Sequence, residues 1–400
     1  MTGHNVTTSN GAAGHEDVLT PATNAVHGDS LTVPIVQTSA YFFKNTQELI
    51  DLNEGRYKSY EYGRFGNPTT RACEEKICSL EGAEDCLVFA SGMNAASTMM
   101  LALLPNGSHL IITSDCFHGT QQFIQTFLPR LGITTTVIDS ADVAGLEQAL
   151  EQHAPVTMFF SESPTNPLLR CLDIPRVTEM CHARGCLVAI DGTFATPINC
   201  QPLRLGEDLV MHSATKYLAG HHDVLAGAVA GKAELVAKVR SLHTMLGGTI
   251  DPHAAYLLLR GMKTLDLRVQ RQNSTALLLA MRLEAHPKIA RVHYPGLDGH
   301  PDHAVATKQM AGFGGVVSFE VEGDFWKTAK FVDSMRLAYI APSLGGVETL
   351  ITQPKVIYQW GESGEQHAGG AVSDSLVRLA CGVEDPEDLW ADLAQALDQI

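Results

Sequence analysis

From Glu81 onward, short apolar and β-branched runs recur: "CLVFAS" (86–91), "HLIITSD" (109–115), "TTTVID" (134–139), "VTMFFSE" (156–162), "CLVAIDG" (186–192), "DLVMHSA" (208–214) and "VLAGAVAG" (224–231). Helix-length segments such as "TQQFIQTFLPRLG", "DVAGLEQALEQH" and "IPRVTEMCHARG" lie between several of them. Strands alternating with helices predict a parallel or mostly parallel sheet of seven strands, covered on both faces. After about residue 270 the texture changes. "STALLLAMRLEAHP" reads as an amphipathic helix, "GGVVSFEVEG" as a strand, and "TAKFVDSMRL" and "PEDLWADLAQALDQI" as helices. This is a second, smaller α+β unit. The stretch ahead of Glu81 begins polar and irregular, apart from "LTVPIVQTSAYFF".

Several runs finish on a polar residue: Ser91, Asp115, Glu162, Asp191 and Ser213. Strand-end polar residues often only start turns. In open α/β sheets, however, ligands bind outside the carboxyl ends of the strands, and here different chemistries gather at one edge.

Composition narrows the class. A net charge of −16 argues against nucleic acid and anionic membrane as partners, since both need a basic face. The nine cysteines are odd in number and never form C-x-x-C, as expected for buried thiols of a cytoplasmic protein rather than a disulfide framework or a zinc site. No stretch approaches the ~20 apolar residues of a membrane span. "MTGHNVTTSNGAAGHEDVL" lacks the layout of a signal peptide and reads as a disordered arm. In "GHHDV", neighbouring His221 and His222 point apart in an extended segment, so a polar turn is expected and no metal.

The chemistry centres on "DLVMHSATKYLAG". Lys216 follows a buried run and is flanked by hydroxyls: Ser213 and Thr215 would aim at a phosphate, with Ala214 tucked into the core. A lysine partly removed from water loses its proton more easily and forms an imine with an aldehyde. Asp191, closing "LVAID", would keep a pyridine nitrogen protonated and the ring an electron sink. "FASGMNAAS" offers a further anion cradle at the backbone N–H groups of Gly92 and Met93. Together these describe a site for pyridoxal 5′-phosphate.

"SATKYLAGHHDVLAG", "DGTFATP", "ESPTNP", "YEYGRFGNPTT" and "SLGGVE" resemble the trans-sulfuration (Cys/Met metabolism) family of pyridoxal-phosphate enzymes, most closely its plant-type cystathionine γ-synthase branch. The resemblance implies fold type I, as in aspartate aminotransferase. Its parts would be an arm and inter-subunit segment over 1–66, a cofactor-binding large domain over 67–272 and a small domain over 273–400. It implies Lys216 as the catalytic base, Asp191 on the ring nitrogen, and Gly92, Met93, Ser213 and Thr215 on the phosphate. Tyr62 and Arg64 would reach a neighbouring protomer's phosphate, so a homo-oligomer, commonly a dimer of dimers, is implied. Asn166 would bond the cofactor's phenolic oxygen. Arg378, assisted by Ser343, would take the substrate α-carboxylate, and Glu348 would lie near a distal amino group.

Two positions depart from the family pattern. Where a ring-stacking tyrosine is usual, Phe117 keeps the face and loses the phenol. The plant-type lysine that would hold a substrate phosphate corresponds to Gly119. The leading expectation is γ-replacement on an activated homoserine, with cysteine giving cystathionine. The alternatives are expulsion of another γ leaving group, such as the sulfonium of S-adenosylmethionine, with a non-thiol nucleophile; γ-lyase activity; or a non-catalytic scaffold.

Overall fold

A computed structural model describes residues 31–140, 142–358, 360 and 372–400. The expected disordered N-terminal arm falls outside the described residues. All seven apolar runs are strands: β1 (Asp85–Phe89), β2 (His109–Thr113), β3 (Thr134–Ile138), β4 (Met158–Glu162), β5 (Leu187–Asp191), β6 (Leu209–His212) and β7 (Gly227–Gly231). They form one sheet in the order β1-β7-β6-β5-β4-β2-β3. The five strands from β3 to β6 are mutually parallel, and β7 runs antiparallel between β6 and β1. This is the mostly parallel sheet expected from the sequence.

Burial explains the run composition. β2, β4, β6 and β7 are buried along their whole length, so their sequences are apolar or small rather than alternating, with His109, Glu162 and His212 only at strand ends. The Thr-rich β3 sits at the sheet edge and is half-exposed. β7 is "GAVAG" because another element lies against it. A Cβ at Gly227 would come within 2.2 Å of the Ser91 carbonyl oxygen, which opens the helix Gly92–Leu103.

The link from β6 to β7 contains no crossover helix, so the chain doubles back just beyond the carboxyl end of β6. Lys216 sits in that reversal. Ala214 is fully buried at its start, as the sequence pattern required.

A second sheet, in the order β10-β11-β12-β9-β8, is built from β8 (Ile289–His293), β9 (Val316–Val321), β10 (Tyr339–Ile340), β11 (Leu350–Thr352) and β12 (Leu376–Ala380). The helix Leu265–Glu284 runs across the boundary expected at 272/273 and buries Val269, Gln272, Ala276, Leu279 and Leu283. Its apolar face joins Val210 and Ala228 of the large sheet and Phe319 and Leu379 of the small one in a single hydrophobic core. That shared core fixes β12 relative to β6 and β7.

Part of the stretch expected to be irregular is a short helix, Thr46–Asn53, whose N-terminus is capped by the Asn45 side chain accepting from the Glu48 N–H. No helix among the described residues is long and apolar enough to cross a membrane.

Candidate active site

The carboxyl ends of β4, β5 and β6 open into a cavity of about 250 Å³. Asp191 ends β5 and Glu162 ends β4, and the two are register partners on adjacent strands, both facing the cavity. The Asp191 carboxylate is held at one oxygen by Thr193, whose backbone N–H donates at 2.9 Å and whose hydroxyl donates at 2.5 Å. The same hydroxyl oxygen accepts the Ser213 N–H at 2.8 Å, tying the end of β5 to the end of β6. Burial raises the Asp191 pKa above the ordinary carboxylate value, against the lowering effect of the Thr193 bonds and His212. Burial pushes Glu162 well above its ordinary value, and the neighbouring Asp191 adds to the rise.

Lys216 faces the same space. Its Nζ donates to the Ser343 hydroxyl at 3.1 Å. Desolvation, then the nearby Arg378, lowers its pKa below 10.5. Arg378, in the middle of β12, is 3% exposed and forms the far wall. Its Nη1 donates to Asn166 Oδ1 and to the Tyr358 hydroxyl, each at 2.9 Å, and Nη2 reaches the Ser343 carbonyl at 3.3 Å. Its Nε is buried without a partner.

The phosphate cradle expected from the sequence is a helix start. Ser91 caps the helix Gly92–Leu103 by accepting from the Asn94 N–H, which leaves the Gly92 and Met93 N–H groups outside the helix ladder. A Cβ at Gly92 would lie 2.9 Å from both Cβ and Oγ of Ser213, so only glycine lets the two approach. Thr215 lines the cavity, but its hydroxyl donates to the Ala226 carbonyl at 3.1 Å and accepts the Ala226 N–H at 2.9 Å. In this structure it braces the Lys216 reversal.

A helix N-terminus beside a serine, an amine of lowered proton affinity and an acid at a strand end match the phosphate, aldehyde and ring nitrogen of pyridoxal phosphate. The residues therefore fit that group. Phe117 lines the cavity and is 40% exposed.

Four expected site residues are off the cavity lining: Ser343, which stands at its edge as the acceptor of Lys216 Nζ, and three that lie elsewhere. Tyr62 and Arg64 do not line the cavity of their own chain: Arg64 donates to the Thr244 carbonyl and lies over the Tyr62 and Phe65 rings. Glu348 is also off the cavity lining, half-exposed and 3.8 Å from His222. Conversely, Tyr358 and Thr193 enter the site without having been singled out. Thr193 stood two residues from Asp191 in "DGTFATP", whereas Tyr358 lies in a stretch with no periodic pattern. Among the described residues, no group of three or more His, Cys, Asp or Glu side chains is placed to hold a metal.

Residues 18–398 match the model of the Cys/Met metabolism PLP-dependent enzymes. The chain belongs to that family. It is 59% identical over 372 residues to cystathionine gamma-synthase 1, chloroplastic, of Nicotiana tabacum, covering 93% of this chain and 69% of the relative. It is 58% identical to the protein of the same name in Arabidopsis thaliana, covering 93% and 66%. The chain thus spans about two thirds of the length of these plant relatives. The crystal structure of cystathionine gamma synthase from Xanthomonas oryzae pv. oryzae with cystathionine superposes with a TM-score of 0.89 at 35% identity, covering 96% of this chain and 99% of that one. Fold type I, an enzyme, and pyridoxal phosphate as cofactor follow from family membership. One expectation is overturned: both plant relatives are named chloroplastic, which speaks against the cytoplasmic location read from the cysteines. Unpaired buried thiols do not distinguish one reducing compartment from another.

Proposed function

We propose that the chain catalyses γ-replacement on an activated homoserine, with cysteine as the nucleophile and cystathionine as the product. One observation carries this reading. The Lys216 amine and the Asp191 carboxylate share a cavity whose far wall is the buried, partly unpaired guanidinium of Arg378. The relatives named above are cystathionine γ-synthases, one of them solved with cystathionine.

Pyridoxal phosphate, when bound, supplies an electron sink for negative charge developing beside the substrate nitrogen. Asp191 keeps the ring nitrogen protonated, and Thr193 fixes the direction from which its carboxylate does so. Gly92, Met93 and Ser213 hold the phosphate. Arg378 and Ser343 anchor the substrate α-carboxylate, and Asn166 orients Arg378. Lys216, lowered in proton affinity by burial and Arg378, takes the proton at substrate Cα and moves protons at Cβ. Phe117 has no proton to give, so Lys216 carries that work. The Phe117 ring contributes an apolar face to the cavity lining.

Tyr62 and Arg64 act on a neighbouring protomer in this reading. The exposure of Tyr62, Phe65, Met245 and Leu246 around them supports a face covered by a second copy, and hence the dimer from which a dimer of dimers would be built. The three-part division at 66 and 272 belongs to the same proposal.

Purified protein loaded with pyridoxal phosphate is incubated with cysteine and, separately, O-acetyl-, O-succinyl- and O-phosphohomoserine. Cystathionine from at least one ester, detected by mass spectrometry, is the expected result. Its absence with all three overturns the proposal.

A further inference from the structure

Tyr358 closes the short helix Pro354–Tyr358, which follows β11 and brings the phenol to the Arg378 wall of the cavity. Its oxygen accepts from Arg378 Nη1 at 2.9 Å and from Asn166 Nδ2 at 3.2 Å. Asn166 closes the triangle, its Oδ1 accepting from the same Nη1 at 2.9 Å. A phenol has one hydrogen and two lone pairs. With both lone pairs taken by donors, the hydroxyl hydrogen is turned away from Arg378 and Asn166. On the same wall, Arg378 Nε is buried with no acceptor.

We propose that Tyr358 is a specificity-determining residue for the α-carboxylate: it sets the direction of the Arg378 fork and donates its own O–H to the incoming carboxylate. A carboxylate accepts at two oxygens. Arg378 alone meets it with a guanidinium already committed at Nη1 and Nη2 to Asn166, Tyr358 and the Ser343 carbonyl. A phenol held from behind by two donors supplies a further donor at no reorganisation cost, as a preorganised site should. An amine of the same length without the carboxylate gains nothing from this arrangement, so the effect is one of selectivity rather than of general affinity.

The inference rests on the reading of Arg378 as the carboxylate anchor. It is tested on the holoenzyme with L-norvaline, which has no γ leaving group, and 1-butylamine, its counterpart without the carboxylate. Binding of each is followed by the absorbance of the bound cofactor. In Tyr358→Phe, the L-norvaline dissociation constant rises about tenfold, as expected for a hydrogen bond to a charged group. The values for 1-butylamine and for pyridoxal phosphate stay unchanged. With the true substrate, KM rises similarly while kcat stays within about twofold, the mark of uniform binding. Tyr358→Leu gives the same split and serves if the phenylalanine variant fails to fold. Unchanged L-norvaline affinity, or equal weakening of both ligands, overturns the role of Tyr358 alone. Wild-type protein that binds 1-butylamine as tightly as L-norvaline overturns the Arg378 reading as well.

Discussion

Phe117 lays its ring edge against the backbone of Gly119: a Cβ at 119 would stand 2.8 Å from Phe117 Cε1 and 3.2 Å from the Met93 sulfur. The two departures from the family pattern are therefore one structural arrangement. The ring occupies the space that any side chain at 119 would enter. Because Phe117 is 40% exposed, it can yield. Gly119→Ala should cost under about 1 kcal/mol of stability in urea titration. The displaced ring should instead show at the cavity mouth, as a several-fold higher KM for the homoserine ester.

The same pair bears on the leaving group. Among the described residues lining the cavity, the cationic side chains are Lys216 and Arg378. Both have assigned work, as has the neighbouring protomer's Arg64 in the proposed assembly, so among the described residues no further cation on this lining is left to face a phosphate ester. The kcat/KM for O-phosphohomoserine is expected to fall at least about tenfold below that for an O-acyl ester, one charge-assisted contact being worth about that much. A preference for the phosphate ester would show that a cation reaches the site from elsewhere.

Lys216 gives a pH prediction with a definite sign. The neutral amine is the form that attacks an aldehyde. Burial and Arg378 both disfavour the charged form, so the midpoint lies below 10.5. Borohydride capture of added pyridoxal phosphate by the apo-protein, read by peptide mass spectrometry, should rise with pH to half-maximum below that value. In Arg378→Gln one of the two causes is gone, and the midpoint moves upward. Lys216→Ala should show no capture at all, and turnover reduced at least about a thousandfold.

How much of this was legible in the chain depends on what each residue needs. Most of the strands were readable because buried strands must be apolar along their interiors, as "HLIIT" and "MFFSE" show, while the half-exposed edge strand β3 was marked by its β-branched residues. Asp191 and Lys216 were readable because strand ends are where an open sheet binds ligands. The hydroxyl of Thr215 was not: which way it turns depends on the Ala226 backbone, eleven residues away. Tyr358 was invisible for a similar reason. Its partners Arg378 and Asn166 lie 20 and 192 residues distant, and only the packing of the second sheet against the first brings them together. Glu162 was seen as a polar strand end, but its pairing with Asp191 depends on β4 and β5 being neighbours.

Thr193 joins stability and cofactor binding through one hydroxyl. Its oxygen accepts the Ser213 N–H, and its hydrogen goes to Asp191. Thr193→Val keeps the shape, removes both bonds and leaves a backbone N–H and a carboxylate each short of a partner. Stability in urea titration should fall by about 1–3 kcal/mol. Pyridoxal phosphate should bind about tenfold more weakly, because the carboxylate then keeps only the backbone N–H of residue 193 to aim it. Thr193→Ser restores both bonds and should recover the affinity. If it does not, the methyl packing and not the hydroxyl is what matters.

Deeper in the same layer, His212 Nε2 lies 2.5 Å from Glu81 Oε1, with His212 2% exposed and Glu81 fully buried. His212 is the last residue of β6, directly before Ser213, and it is among the groups lowering the proton affinity of Asp191. Removing one member of a buried hydrogen-bonded pair leaves the other without a partner, and typically costs about 1–3 kcal/mol. Glu81→Ala should therefore destabilise the protein by about that amount. It also frees the His212 ring to shift, and a Cβ at Gly192 would stand only 3.0 Å from His212 Cε1, so the ring packs on the residue following Asp191. The expected signature is a loss of cofactor affinity in Glu81→Ala that persists at temperatures well below its own unfolding. Loss of stability with unchanged pyridoxal phosphate binding would confine the pair to the core.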